Sequence, residues 1–325
     1  MIGGVLAQVR SACAEVMDGA RWVRIVPEAL AVLARDLANT PPPDPHLDPA
    51  HDSSGGGAGA SDERLAYVVI LDAINFGSGY FPYLSKRPGL SGYFTVATGL
   101  RERFRAKGPW NAADLSALTA GDCAECLGQD LGVPEVAELM HLYARALNDL
   151  GDFLTERHEG RFEGPLIEAG NSAARLVKIL AAMPFYRDVS RIGSLEVPFY
   201  KRAQLTAADL SVAFAGRGYG EFSDLHELTS FADNLVPHVL RRSGALVYAP
   251  ELAKRIDAEE GIASGSVEEV EIRAAAVHAV ELCVENLREA GISMTAHRLD
   301  YILWSRGQAP AIKAHPRHRT RSVYY

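Results

Sequence analysis

Cysteine is scarce in this chain: four among 325 residues, Cys13, Cys123, Cys126 and Cys283. So few cannot form a disulfide scaffold for a chain of this length, and they point to a reducing compartment. Cys123 and Cys126 make a lone C-x-x-C. With no second pair, a structural zinc is not expected. Long apolar runs are also missing. No stretch approaches the roughly 18 uncharged apolar residues of a membrane helix. Arg10, Glu15 and Asp18 interrupt the N-terminal turns, so a secretory leader is not expected either. The expected location is the cytoplasm, with no membrane partner. Positive charge is in deficit: 33 Lys and Arg face 41 Asp and Glu, a net charge of −8. Binding to a nucleic-acid polymer needs clustered cations on phosphates, so no such partner is expected, whereas a mononucleotide remains possible. Gly77-Ser-Gly79 lacks the G-x-G-x-x-G spacing and its strand-turn-helix setting, which excludes a dinucleotide site. Runs of alternating apolar and polar residues are few, and no internal repeat is found.

What is present is mostly helical period. The chain is 48% hydrophobic, enough for a large core, and we expect one mainly α domain over 1–325. Residues 5–38 read as one or two helices. Residues 39–63, rich in Pro, Gly, Ser and Asp, read as a flexible linker. YVVIL (67–71) has strand propensity, yet the apolar run continues through Asp72-Ala-Ile-Asn75, which favours a buried helix. Further helices are expected over 135–157 and 166–182, and from Pro198 to about Phe214. The best-marked helix is 267–290. Ser266 and Glu269 form a capping-box pattern, and Ile272, Ala276, Val280, Cys283 and Leu287 make an apolar stripe.

Several polar residues sit in apolar company. Asp72 and Asn75 lie three apart beside Phe76, on one helix face; they either satisfy each other and the backbone or line a pocket. Asp300 and Trp304 lie four apart in RLDYILW. That is either a core tryptophan beside a surface aspartate or a carboxylate-and-indole face suited to a heterocyclic base. Lys201 and Arg202 fall in a helix's first turn, where the dipole disfavours cations. They are either a tolerated surface pair, or Lys201 points into a site and meets ribose or phosphate. Pro237 breaks the segment 226–244 and starts a new helix near Asp233-Asn234, one of which is the N-cap. Arg241, Arg242 and Gly244 close it. Asp233, between Phe231 and Leu235, is then a plain cap or a carboxylate in use.

YVVILDAINFGSGYFP (67–82), FYKRAQLTAADL (199–210), HELTSFADNLVPHVL (226–240), RLDYILW (298–304) and HRTRSVYY (318–325) together resemble the queuosine 5′-phosphate N-glycosylase/hydrolase family, in that family's order. The resemblance implies a helical domain like the helix-hairpin-helix DNA glycosylases. It also implies hydrolysis of queuosine 5′-monophosphate to release queuine, without a metal or other cofactor. Asp233 matches the family's catalytic aspartate at a helix start. Asn75, Phe76, Lys201, Phe231, Asp300 and Trp304 become substrate-binding candidates, as does Asp72. A family histidine near the linker contacts the base; His51 matches it better than His46. The basic tail, ending in Val-Tyr-Tyr, joins the folded body, with Arg319 or Arg321 on phosphate or in ion pairs. A helical nucleic-acid-binding or DNA-repair module is the other class of reading, but it needs a basic face and a glycine hairpin that FSDLHELTSF lacks.

Overall fold

The computed structural model describes residues 4–39 and 60–325. His51, and most of the expected linker at 39–63, lie outside the described residues. Helix dominates, as the periodicity predicts. The helices are α1 (Val5–Asp18), α2 (Pro27–Asn39), α3 (Ala60–Ala73), α4 (Gly92–Lys107), α5 (Ala112–Ala117), α6 (Ala120–Leu127), α7 (Pro134–His158), α8 (Gly164–Ala169), α9 (Ala173–Leu180), α10 (Lys201–Ala213), α11 (Val236–Arg242), α12 (Pro250–Asp257), α13 (Val267–Glu289), α14 (Ala296–Gly307) and α15 (Pro310–Lys313). Two short antiparallel strand pairs accompany them. Strand β1 (Val23–Ile25) pairs with β4 (Leu246–Tyr248), Val23 opposite Tyr248; β2 (Val189–Ile192) pairs with β3 (Leu195–Pro198), Val189 opposite Pro198. None of the described helices is long and apolar enough to cross a membrane.

Two apolar clusters meet across the molecule. One is built on α3, α4, α6, α7, α9 and α10; the other on α2, α11, α12, α13, α14 and β4. Helix α13 is buried on both sides. Its Ile272, Ala276, Val280, Cys283 and Leu287 stripe faces the second cluster, while Val270, Ala274 and Val277 pack on Val9, Cys13 and Val16 of α1. Packed on two sides through most of its length, with Glu269, Glu271 and Arg273 buried among its apolar residues, this helix is the frame of the fold.

Four local expectations are corrected. The pattern at 166–182 divides into α8 and α9, because Gly170 and Asn171 take left-handed φ of 57° and 59°. Pro198 ends strand β3 and does not open a helix; α10 starts at Lys201, after Tyr200 with φ 48°. Asn75 lies beyond the end of α3, just after the turn at Ile74. The capping box at α13 is half formed. Ser266 Oγ accepts the Glu269 N–H, but the Glu269 carboxylate accepts from the Gly265 N–H and from the Tyr325 hydroxyl instead. The tail is folded, as expected: His318, Thr320, Ser322 and Tyr325 are buried. It passes so close to Gly79 that a Cβ there would clash with the Thr320 carbonyl group. The Gly77 and Ser78 N–H groups donate to the main-chain oxygen of Tyr325 at 3.0 and 3.4 Å.

Candidate active site

The clusters meet around a cleft of about 1140 Å³. Its walls come from the turn after α3, from α10, from the segment Leu228–Leu235, from α14 and from the tail. Asn75, Phe76, Lys201, Phe231, Asp233, Asp300, Trp304 and Arg319 all line it. These residues are up to 244 positions apart in sequence (75 to 319), so the fold alone brings them together. Asp72 does not line the cleft. It is fully buried behind it, and neither carboxyl oxygen has a donor in good hydrogen-bond geometry. Burial, and then the charge of Asp209, push its carboxyl well above the usual range.

The segment Leu228–Leu235 has no regular structure, yet successive residues are each tied to a neighbouring element. The Thr229 N–H donates to Gln204 Oε1 at 2.8 Å. Ser230 Oγ–H and the Phe231 N–H donate to Asp300 Oδ1 at 2.6 and 2.8 Å. The Ala232 carbonyl accepts from Arg273 Nε at 3.0 Å. Asp233 Oδ1 accepts the N–H groups of Leu235 and Val236 at 2.8 and 3.0 Å. Helix α11 begins at Val236, with Pro237 in its first turn. The helix thus starts slightly later than the sequence pattern predicts, and the Asp233 side chain still serves its exposed N–H groups from just outside.

Asp233 is only half-buried and faces charges of both signs. Lys201 is buried, and burial pulls its ammonium below the ordinary lysine range; Asp233 is the foremost opposing influence. Burial likewise lowers Arg317, again against Asp233. Burial first, and then the nearby charge of Asp233, raise the Asp300 carboxyl to about 8. The surface-pair reading of Lys201 and Arg202 is corrected, because both are buried. The Arg202 guanidinium stacks 4.8 Å from the Phe76 ring centroid and donates to the Asp72 and Ala73 carbonyls at the C-terminal end of α3. It thereby fixes the wall that Phe76 forms. Trp304 is half-buried, edge-on to Phe94 at 6.3 Å. Arg319 is ion-paired to Glu259 at the rim. Arg321 lies away from the cleft, paired with Glu135 and Glu138.

Several lining charges escaped the sequence reading, Asp209 and Arg317 among them. Asp209 sits on the same face of α10 as Lys201, Leu205 and Val212, a spacing the helical period could have revealed. Burial raises its carboxyl to about 7, opposed by Lys201. Arg317 belongs to the basic tail, where nothing local distinguishes it from Arg319 or Arg321. Cys123 and Cys126 are free thiols that burial pushes up to about 12. No cluster of three or more metal-ligating side chains occurs among the described residues.

The Asp300 geometry yields a pH prediction. A carboxyl near 3.9 when unfolded and about 8 when folded binds a proton more tightly in the native state. Its contribution to stability is therefore full below about pH 4 and is lost as the pH rises to about 8. Asp300→Asn keeps an Oδ1 acceptor for Ser230 and Phe231 but cannot ionise. Its melting temperature, relative to the parent, should climb steadily from pH 5 to pH 8; a constant difference would show that Asp300 does not titrate in this window.

Fold and cleft define a mainly α-helical protein with a large site of aromatic walls and opposed charges, the kind that encloses a small organic ligand. Residues 58–325 match the family described as queuosine salvage protein, and the chain belongs to that family. It is 37% identical to the queuosine 5′-phosphate N-glycosylase/hydrolase of Sphaerobacter thermophilus, over 99% of this chain and 98% of that one. The proteins of the same name from Dictyostelium discoideum and Mus musculus are 33% and 30% identical. They cover 80% and 82% of this chain, and 77% and 83% of their own lengths.

Proposed function

We propose that the chain hydrolyses the N-glycosidic bond of queuosine 5′-monophosphate and releases queuine for reuse in tRNA modification. The observation that carries this reading is the setting of Asp233: a carboxylate held at the rim of a helix start, opposite Lys201 and Arg317, in a cleft large enough for a nucleotide. In a chain 37% identical to a hydrolase of that name, such a carboxylate has a natural task. As the C1′–N bond breaks, its electron pair leaves with the base and positive charge grows on the ribose. A fixed anion beside C1′ stabilises that charge and orients the attacking water. Water's oxygen bonds to C1′, and its proton passes to the base nitrogen. The 7-deazaguanine base has no N7 to protonate, so departure leans on the carboxylate and on hydrogen bonds to the base.

In this reading Phe231 and Trp304 cover the base, and Asp300 accepts from its guanine-like edge. Oδ1 of Asp300 already serves Ser230 and Phe231, which leaves the other oxygen for the ligand. Asn75 and Phe76 complete the wall, with Asp72 behind them. Lys201, Arg317 and Arg319 meet the sugar phosphate, and His51 is assigned to the base. No cofactor enters the scheme. The reaction belongs to one helical domain working in the cytoplasm, in keeping with four cysteines that are all free thiols. Kinship with the helix-hairpin-helix glycosylases is part of the proposal, supported by an aspartate that precedes a short helix at the mouth of the cleft.

The test is incubation with queuosine 5′-monophosphate, queuosine, GMP and intact queuosine-containing tRNA, followed by mass spectrometry for free base. Queuine should appear from the monophosphate. The net charge of −8 predicts far slower release from intact tRNA, since a polyanion gains little from this surface. Equal turnover on the tRNA would defeat the mononucleotide assignment, and no queuine from any substrate would defeat the activity.

A further inference from the structure

Behind the cleft lies a charge cluster that lines none of it. Arg273 of α13 and Asp188, just before β2, are 1% and 2% exposed and meet through two parallel hydrogen bonds of 2.9 and 2.6 Å. Glu269 stands 3.7 Å from the same guanidinium. A buried pair of this kind is poor grounds for stability, because the loss of hydration offsets most of the attraction. Its connections give it another significance. Asp188 Oδ2 also accepts the Lys201 N–H at 3.1 Å, and the Asp188 carbonyl accepts from Phe199 and Tyr200 at 2.9 and 3.2 Å. The left-handed turn at Tyr200 is thereby clasped, and with it the first residue of α10. On its other side Arg273 Nε holds the Ala232 carbonyl at 3.0 Å, one residue before Asp233. One planar guanidinium therefore fixes the main chain next to both Lys201 and Asp233.

We infer that Asp188 and Arg273 are positioning residues that set the separation of Lys201 and Asp233 across the cleft, so that the carboxylate faces the sugar carbon while the ammonium faces its substituents. The inference rests on the hydrolase reading above. Rate depends steeply on such placement: a shift of about 1 Å can lower turnover about 10²-fold. Base binding depends on Asp300 and Trp304, which the cluster does not touch.

Arg273→Lys is the discriminating variant. It retains a cation for Asp188 but lacks the planar fork that meets Asp188 with two N–H groups and Ala232 with a third. Melting temperature, queuine affinity by calorimetry and single-turnover release from queuosine 5′-monophosphate are measured beside the parent protein. The expected result is a folded variant with near-parental queuine affinity and a rate at least about tenfold lower. A purely structural role would move the melting temperature and leave the rate of the folded fraction unchanged, and that outcome overturns the inference. So does an equal loss of queuine binding and rate, which would mean that the whole cleft has collapsed. Should Arg273→Lys not fold, Asp188→Asn repeats the test, keeping an oxygen for the Lys201 N–H while losing the paired charge. Failure of both to fold leaves the cluster as a stability element only. Absence of turnover by the parent overturns the hydrolase reading and this inference with it, whereas parental turnover with an unaltered variant rate overturns this inference alone.

Discussion

Asp233→Asn should leave the protein folded and lower its single-turnover rate by about 10²–10³, the loss typical of one preorganised electrostatic stabiliser. The substitution is chosen to separate two roles. Asp233 Oδ1 accepts the N–H groups of Leu235 and Val236, and an asparagine oxygen accepts them equally well. The melting temperature should therefore stay close to the parent's. What disappears is the negative charge, which matters most when the ribose becomes cationic, so ground-state binding of queuine should survive. A second consequence follows from the neighbours. Asp233 raises the Asp300 carboxyl, so neutralising it should bring that group down from about 8, and the pH dependence of queuine binding should move to lower pH. Queuine affinity titrated against pH, together with the rate, checks both statements. A variant of normal rate would reduce Asp233 to a cap and move the search for the catalytic carboxylate to Asp300.

Arg273→Met should lower stability by about 3–5 kcal/mol, the usual result of removing one member of a buried ion pair. Methionine fills much of the arginine's volume, so the loss is electrostatic and not a cavity. Asp188 and Glu269 would stay in the interior without their cation. Burial already holds Glu269 above its ordinary range, with Arg273 foremost against the shift. Without the arginine it rises further, and a raised folded value means stability lost as the pH rises. The deficit should thus be smaller at pH 5 than at pH 8 in urea unfolding. Replacing the partner as well, in Arg273→Met/Asp188→Leu, should restore part of the loss, because two apolar side chains need no counter-charge. A single variant within about 1 kcal/mol of the parent would mean that solvent reaches the pair.

Much of the helical architecture is legible in the chain. The stripe along α13 and the continuous apolar run of α3 each arise from local period, and a buried helix face demands such a pattern wherever it packs. Boundaries were less legible where a rare backbone conformation decides them. Nothing in EVPFYKRAQ announces that Tyr200 adopts φ 48°; the Asp188 carbonyl and carboxylate, distant in sequence, hold it there. The division between α8 and α9 at Gly170-Asn171 has a visible glycine, but the apolar period runs through it.

The candidate site divides in the same way. Asp233 before Pro237, and Asp300 four residues before Trp304, are local signals, since a helix start and a helix face are set by short spacings. Sequence by itself therefore determined the mainly helical class, the family and eight of the residues that line the cleft. Tertiary structure alone decided that Lys201 and Arg202 are buried, that Asp72 stands behind the wall while Asp209 and Arg317 form it, and that Arg273 ties the segments together. The physical reason is burial. A charge's protonation, partners and task depend on which distant elements exclude water around it, and that is fixed only when the helices pack.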